Sequence, residues 1–456
     1  MRKLKYFFRN GLQVAPFILS TTITFVPYLL FLGLNNHVVT ETIIPFVLFY
    51  TFRMTGVFLL KSFKLSLTSF NILILSILMG GTGCLVGVMG LFYFPAYLLS
   101  AVLLGISASW FPVANATVDY HEKQQGYSAL TGKKYVFLIL IFTGLVFSLL
   151  QPLAIKIPLV LAEYTLLYVA AYHTVSHYPT YEIDFNEVDK RSISLKELSL
   201  FLSFFVLLIL IRSARLLFDI RLLNLGIILA SGLFLVTAWA VSHQKKKWCL
   251  PSWLNVLTFA NGMCTNFILL FGAMYISLDF GTGQLMTYLY SPYIIGILFS
   301  GLFSQLLARL FVGIEPITTH ILGLVGAFFL LLLPAFFPAG VLLLSCCLNG
   351  LSELLNQAYF RCTSLKKDQR LLAKYSTQTK GSITHQLLLM SSLWLLVKEK
   401  GLSVETVFQL TSHQIKNTAA QQLINIVHIT SVIGFIMLFL IILFLFLKRN
   451  SSKSSS

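Results

Sequence analysis

The chain has 456 residues, of which 57% are hydrophobic and 11% charged, with a formal net charge of +17. A soluble domain is nearer one quarter charged, so this composition excludes an ordinary globular protein. Apolar runs of roughly 18–24 residues, matched to the hydrocarbon thickness of a bilayer, repeat along the whole length. The sequence therefore predicts an all-α polytopic membrane protein.

About fourteen apolar stretches lie between polar breaks, and each is predicted to be a transmembrane helix. In chain order the stretches are 13–34, 42–60, 67–89, 91–116, 135–154, 157–175, 197–217, 222–242, 253–278, 284–308, 316–336, 338–360, 382–397 and 424–447. The first follows the basic segment MRKLKYFFRNG and has no small-residue cleavage site. We therefore expect it to be a retained helix and not a cleaved signal peptide.

The basic residues are distributed unevenly between the two sides of this layout. With a cytoplasmic N-terminus, 25 Lys and Arg fall on the inner side and seven on the outer side, while Arg53 lies within a stretch. This asymmetry predicts that both termini are cytoplasmic, and the short basic N-terminus suits a bacterial plasma membrane. The excess charge then belongs at an anionic membrane surface and not on nucleic acid. The outer cluster Arg212, Arg215, Asp219 and Arg221 is interpreted as an ion-pair cap, with a docking point for anionic headgroups as the alternative.

Four short segments occur in order on the early stretches and the loop between two of them. They are LSTTITFV (19–26), GVFLLKSFKL (56–65), AVLLGIS (101–107) and GLVFSLLQP (144–152). Together with the fourteen stretches, they resemble the drug:proton antiporter branch of the major facilitator superfamily. The second segment keeps the loop-motif positions Gly56, Lys61 and Lys64. The charged positions of the family are absent, since Ser20, Leu60 and Ala101 replace its Asp, Asp and Arg.

This resemblance implies two six-helix bundles, 1–175 and 251–447, with a cytoplasmic linker and an extra helix pair in 176–250. It also implies a secondary transporter that works by alternating access around a central cavity. Export of an amphipathic small molecule or a lipid-like compound is the function we expect. Because Ser20 and Ala101 cannot titrate, either proton coupling has moved to other acids or the protein does not use a proton gradient. The serine-rich tail 448–456 is predicted to be disordered.

Hydroxyl groups crowd the first stretch, where Ser20, Thr21, Thr22 and Thr24 occupy little more than one helical turn. Hydroxyls are inexpensive in lipid when they bond to the preceding turn. Ser20 and Thr24 are therefore candidates for a polar pathway. The alternative is that these hydroxyls fill a contact between helices.

Ionisable residues inside membrane helices are functional candidates. Glu163 lies midway along 157–175 and Glu353 lies in 338–360, so both could face a central cavity and carry a proton. The alternative for Glu353 is a polar anchor near the inner surface. Arg53 keeps its charge and could hold an anionic substrate or pair with a buried glutamate.

The second half offers polar and aromatic candidates in NGMCTNF and YLYSPY. Asn261 and Asn266 belong to the first segment, and Tyr290 lies next to a proline in the second. Amides and a kinked aromatic segment suit an amphipathic substrate. The alternative is ordinary helix packing.

No pattern indicates an enzyme, because the chain has no H-E-x-x-H sequence, no Walker A loop and no paired acids with a histidine. The six cysteines show no C-x-x-C spacing, and we interpret them as small buried residues. We predict no metal site and no cofactor. The expected partners are membrane lipids and a small-molecule substrate, with protons as the candidate coupling ion, and the protein is expected to be a monomer. A transport-inactive relative that acts as a sensor or assembly partner is the second hypothesis, because the charged motif positions are missing.

Overall fold

The computed structural model describes residues 12–34, 43–63, 68–126, 134–178, 181, 194–217, 220–242, 250–281, 284–403 and 418–454. Within these ranges all the secondary-structure elements are helices. The helices are α1 (Ala15–Thr22), α2 (Val26–Gly33), α3 (Ile44–Ser62), α4 (Ser69–Met89), α5 (Pro95–Gln124), α6 (Lys134–Leu149), α7 (Leu153–Val175), α8 (Leu195–Leu217), α9 (Ile220–Ser242), α10 (Ser252–Asn266), α11 (Ala273–Asp279), α12 (Ser291–Leu310), α13 (Pro316–Leu331), α14 (Phe337–Phe360), α15 (Gln369–Glu399) and α16 (Thr418–Ser454). Helical turns of π type join α10 to α11 (Phe267–Gly272) and precede α12 (Met286–Tyr290).

Among the described residues, eight helical segments are long and apolar enough to cross a membrane. A ninth results when the bent pair α1 and α2 is taken as one span. All fourteen predicted apolar stretches fall on helices of the structure. The prediction of an all-α polytopic membrane protein is confirmed.

Two boundaries differ from the sequence prediction. Residues 369–381, predicted to be part of a polar connection, form the first turns of α15. They are helical because Leu371, Lys374 and other side chains at helical spacing are buried against neighbouring helices. At the other end of the chain, α16 extends to Ser454, through most of the tail predicted to be disordered.

The chain divides into two compact units, Met1–Leu217 (unit 1) and Phe218–Ser456 (unit 2). The division falls between α8 and α9, the two helices that the sequence interpretation groups as an extra pair. In unit 1, α3 packs against α5 and α8, while α4 packs against α5 and α7. In unit 2, α10 packs against α15, α14 packs against α12 and α13, and α13 packs against α16.

Glycines permit close helix crossings in both units. In unit 1, a Cβ at Gly105 of α5 would lie 2.9 Å from the Phe49 carbonyl oxygen of α3. In unit 2, a Cβ at Gly262 of α10 would collide with the Gln378 carbonyl, and one at Gly381 of α15 would collide with the Phe259 carbonyl. Two backbones can approach this closely only when neither carries a side chain at the crossing, which is the role of small residues between membrane helices.

Candidate functional site

The hydroxyls of the first stretch are satisfied mainly within their own helix. The Ser20 Oγ donates to the Phe17 carbonyl over 2.9 Å, and the Thr22 Oγ1 donates to the Ile18 carbonyl over 2.7 Å. Thr22 also accepts a hydrogen bond of 2.7 Å from the hydroxyl of Tyr164 on α7. These hydroxyls therefore bond mostly to carbonyls of the preceding turn, and Thr22 also links two helices of unit 1.

Thr24 lies at a bend of 52° between α1 and α2. The bend has a chemical cause, because Pro27 has no N–H to donate to the Ile23 carbonyl. The Thr24 side chain is half-buried. The structure thus places Ser20 within α1 and Thr24 at the break that follows it.

A second buried polar connection in unit 1 was not predicted. The Ser107 Oγ of α5 donates to the Ser76 carbonyl of α4 over 2.7 Å and lies 3.1 Å from the Tyr168 hydroxyl. Because the serine proton is used on the carbonyl, the Tyr168 hydroxyl donates to Ser107. Gly80 makes room for the Tyr168 ring, since a Cβ there would overlap it. The four-residue spacing between Tyr164 and Tyr168 is the sequence signal for one polar face on α7.

Glu163 points at the neighbouring helix α6. The Ser148 Oγ donates to the Glu163 Oε1 over 2.6 Å, whereas the buried Oε2 has no hydrogen-bond partner among the described residues. Arg53 is half-buried on α3, and Glu163 contacts Ser148 instead of this arginine. The structure therefore does not bring these two predicted residues together.

One member of the outer arginine cluster, Arg212, is buried against aromatic rings. The Arg212 side chain is 2% exposed, and its guanidinium carbon lies 3.7 Å from the centroid of the Tyr50 ring and 5.9 Å from that of Phe46. Arg212 thus makes cation–π contacts with α3, while the acidic member of the interpreted ion-pair cap, at position 219, lies outside the described residues. A flat guanidinium stacks well on an aromatic ring, but only the packing of α8 on α3 brings the two together. The side chains at 215 and 219 lie outside the described residues.

The positions of the loop motif have structural contacts where they are described. The Gly56 carbonyl accepts a hydrogen bond of 2.8 Å from the Trp110 indole, at the crossing of α3 and α5. The Lys61 ammonium lies 3.6 Å from the Glu197 carboxylate of α8. Lys64 lies outside the described residues.

Unit 2 contains a stripe of polar side chains along one face of α15. In chain order its members are four, four and three residues apart, which places them on one side of a helix. They are Lys374, Gln378, Ser382 and His385. We call these four residues the polar stripe.

Three members of the polar stripe bind the predicted helix α10. The Gln378 amide donates to the Asn261 side-chain oxygen over 3.0 Å, and the Ser382 Oγ donates to the Gly262 carbonyl over 2.8 Å. The Asn266 amide lies 3.0 Å from the His385 Nδ1. Because the amide group donates, Nδ1 is the acceptor and the ring proton of His385 is on Nε2. Asn261 and Asn266 thus belong to one buried seam.

The fourth member, Lys374, lies beside the predicted Glu353. Its Nζ donates to the Ser352 carbonyl over 3.0 Å, to the Ser352 Oγ over 2.7 Å and to the Asn356 Oδ1 over 2.6 Å. The Asn356 amide in turn donates to the Glu353 Oε2 over 3.2 Å. Glu353 itself is exposed, whereas Lys374 is 1% exposed. Sequence reasoning missed Lys374 because its segment was predicted to be a connection.

Tyr290 ends the π-type turn before α12 and is 3% exposed. Among the described residues, no group of three or more His, Cys, Asp or Glu side chains is placed to hold a metal ion. The arrangement of both units is thus one of buried amides, hydroxyls and single charges within apolar helices.

Comparison with known proteins gives structural likeness only. No family model matches the chain, and no curated protein matches it. A bacterial homologue of the iron transporter ferroportin, in an outward-facing state with soaked iron, is 14% identical, with 90% of this chain and 98% of that chain covered at a TM-score of 0.41. A bacterial homologue of the human drug peptide transporters PepT1 and PepT2 is 11% identical, with 97% and 99% covered at a TM-score of 0.43. Similarity at this level identifies no family, substrate or coupling ion for this chain.

Proposed function

We propose that this protein is a secondary transporter of the major facilitator type, working by alternating access to export an amphipathic small molecule or a lipid-like compound. The observation that carries the proposal is the polar stripe of α15 with its partners on α10. Amide, imidazole and ammonium groups inside apolar helices are costly and mark transport pathways in membrane proteins.

Asn261, Asn266 and Tyr290 are the residues that we assign to the substrate pathway in unit 2. The two amides present hydrogen-bonding groups, and the tyrosine presents an apolar ring with a polar tip. An amphipathic molecule offers the matching combination of an apolar body and a polar end. In unit 1, Ser20, Thr24 and Arg53 are the corresponding assignments.

Glu163 is the residue that we assign to proton coupling. One of its carboxylate oxygens accepts a hydrogen bond from Ser148, and within the described part of the chain the other is buried without a partner. That second oxygen is the position at which a proton would be carried. Glu353 is the matching candidate in unit 2, where its carboxylate is held by the Asn356 amide.

Transport by purified protein in liposomes tests the proposal. Flux of a hydrophobic cation or a fluorescent lipid reporter is measured under a pH gradient and under a voltage. We expect Glu163→Gln to reduce pH-driven flux at least about tenfold, because glutamine cannot take up and release a proton. Glu399→Gln, at an exposed position at the end of α15, is the matched control and should leave the flux unchanged.

Two outcomes would contradict parts of the proposal. Full pH-driven flux in Glu163→Gln would remove this residue from the coupling mechanism. The absence of flux from correctly folded wild-type protein, under both driving forces, would favour the transport-inactive sensor or assembly partner.

A further inference from the structure

The buried ammonium of Lys374 donates hydrogen bonds to three oxygen atoms, which we call the cage. Its three acceptors are the Ser352 carbonyl, the Ser352 Oγ and the Asn356 Oδ1, at 2.6–3.0 Å. A lysine ammonium has three N–H donors. All three are therefore matched by one oxygen each.

A counter-charge lies one step beyond the cage. The Asn356 side chain accepts from Lys374 through its oxygen and donates to the Glu353 carboxylate through its nitrogen. This single amide links the positive and negative charges. The Lys374 ammonium also lies 5.1 Å from the centroid of the neighbouring Tyr375 ring, whose face attracts a cation.

Carbonyl, hydroxyl and amide oxygens are the ligands that hard cations prefer. A buried positive charge costs several kcal/mol unless such groups surround it. Ser352 and Asn356 are four residues apart on α14, so one helix face supplies all three oxygens. We expect the three oxygens to keep their positions when the lysine arm is removed, because both residues belong to the same helix.

We propose that Ser352, Asn356 and Glu353 form a monovalent-cation site, which Lys374 fills with its own ammonium. Burial lowers the pKa of Lys374 to about 7, against the opposing effect of the Glu353 carboxylate, so the tethered cation takes the place of a free ion below about pH 7. Removing the arm should convert the cage into a site for a small free cation such as methylammonium. This inference rests on the geometry of α14 and α15 and does not depend on the proposed transport function.

Thermal unfolding of the purified full-length protein in detergent tests the inference. Lys374→Ala is compared in methylammonium chloride and in choline chloride at equal ionic strength, since the quaternary ammonium of choline has no N–H to donate to the cage oxygens. We expect the melting temperature of this variant to rise by about 2 °C or more in methylammonium. The wild type should show no difference, because its cage is already filled.

Two further variants separate cage binding from a general salt effect. Lys374→Met fills the space with an apolar arm and should not respond to methylammonium. Lys374→Ala combined with Asn356→Ala removes a cage oxygen and should lose the response. If Lys374→Ala does not survive purification, the readout is the monodisperse fraction of fluorescently tagged protein after solubilisation with each salt.

The same rise in wild-type protein or in Lys374→Met would overturn the inference. So would an equal melting temperature, or an equal monodisperse fraction, of Lys374→Ala in the two salts. Transport is not measured in this test, so its failure leaves the transporter proposal unaffected.

Discussion

Buried polar side chains in this protein differ in the number of hydrogen bonds that each one makes to other helices. The Tyr164 hydroxyl supports Thr22, which keeps a second bond to the Ile18 carbonyl. Asn261 holds two partners at once, because its amide donates to the Leu348 carbonyl and its oxygen accepts from Gln378. The consequence of losing each side chain should differ accordingly.

We expect Tyr164→Phe to lower the free energy of unfolding by about 0.5–1 kcal/mol, because a single hydrogen bond is lost and no buried donor is left unpaired. Asn261→Leu should cost about 1–3 kcal/mol, since a buried amide of Gln378 and a carbonyl of Leu348 lose their partner. Unfolding of the purified variants in a denaturing detergent would measure both. A larger cost for Tyr164→Phe than for Asn261→Leu would contradict the argument.

At the scale of helices, the crossing of α10 and α15 determines where the polar stripe lies. Gly262 and Gly381 let the two backbones touch, and this contact brings Ser382 to the Gly262 carbonyl. A polar stripe on α15 is stable inside the unit because each member reaches a partner on α10 or α14. The glycines and the stripe are therefore parts of one arrangement.

Gly262→Ala and Gly381→Ala should each destabilise the protein by about 1–3 kcal/mol, because the new methyl group would overlap a backbone carbonyl that cannot move without shifting a helix. Gly434→Ala on α16 is the matched control, since no atom of the described residues lies within 4 Å of a Cβ there. Alanine favours a helix over glycine, so the control should be neutral or slightly stabilising. Thermal unfolding of the three variants checks the order, and equal melting temperatures would contradict it.

At the scale of the whole molecule, the distribution of basic residues predicts the orientation in the membrane, which the polar groups inside the units do not. The 25 inner and seven outer basic residues predict how the chain is oriented in the membrane. The buried polar groups of each unit determine the hydrogen bonds between its own helices. The orientation is open to a direct test that does not require a known substrate.

We expect the cysteine introduced by Lys366→Cys to face the cytoplasm and the one introduced by Lys156→Cys to face the outside, because loops rich in Lys and Arg stay on the cytoplasmic side. Each is introduced into a variant without native cysteines and treated with a membrane-impermeant maleimide. Intact cells should label position 156, and inverted vesicles should label position 366. The reverse pattern would overturn the predicted orientation.

The sequence alone was enough for the class of protein and for the positions of its helices. Hydrocarbon tolerates only long apolar runs with internally bonded backbones, and each of the fourteen apolar stretches overlaps a helix of the structure. The sequence alone did not predict that residues 369–381 are helical, because this segment is as polar as a loop between helices. Only the neighbours of this segment show that it is helical and buried.

Partners across helices were decided by the tertiary structure. Lys374 meets Ser352 and Asn356, and Arg212 meets Tyr50, because particular helices cross at particular positions. A side chain's hydrogen bonds depend on which atoms of a crossing helix lie within about 3 Å. The composition of a single segment does not predict these contacts. The sequence determined which groups are polar within the apolar helices, and the packing of the helices determined what each of those groups binds.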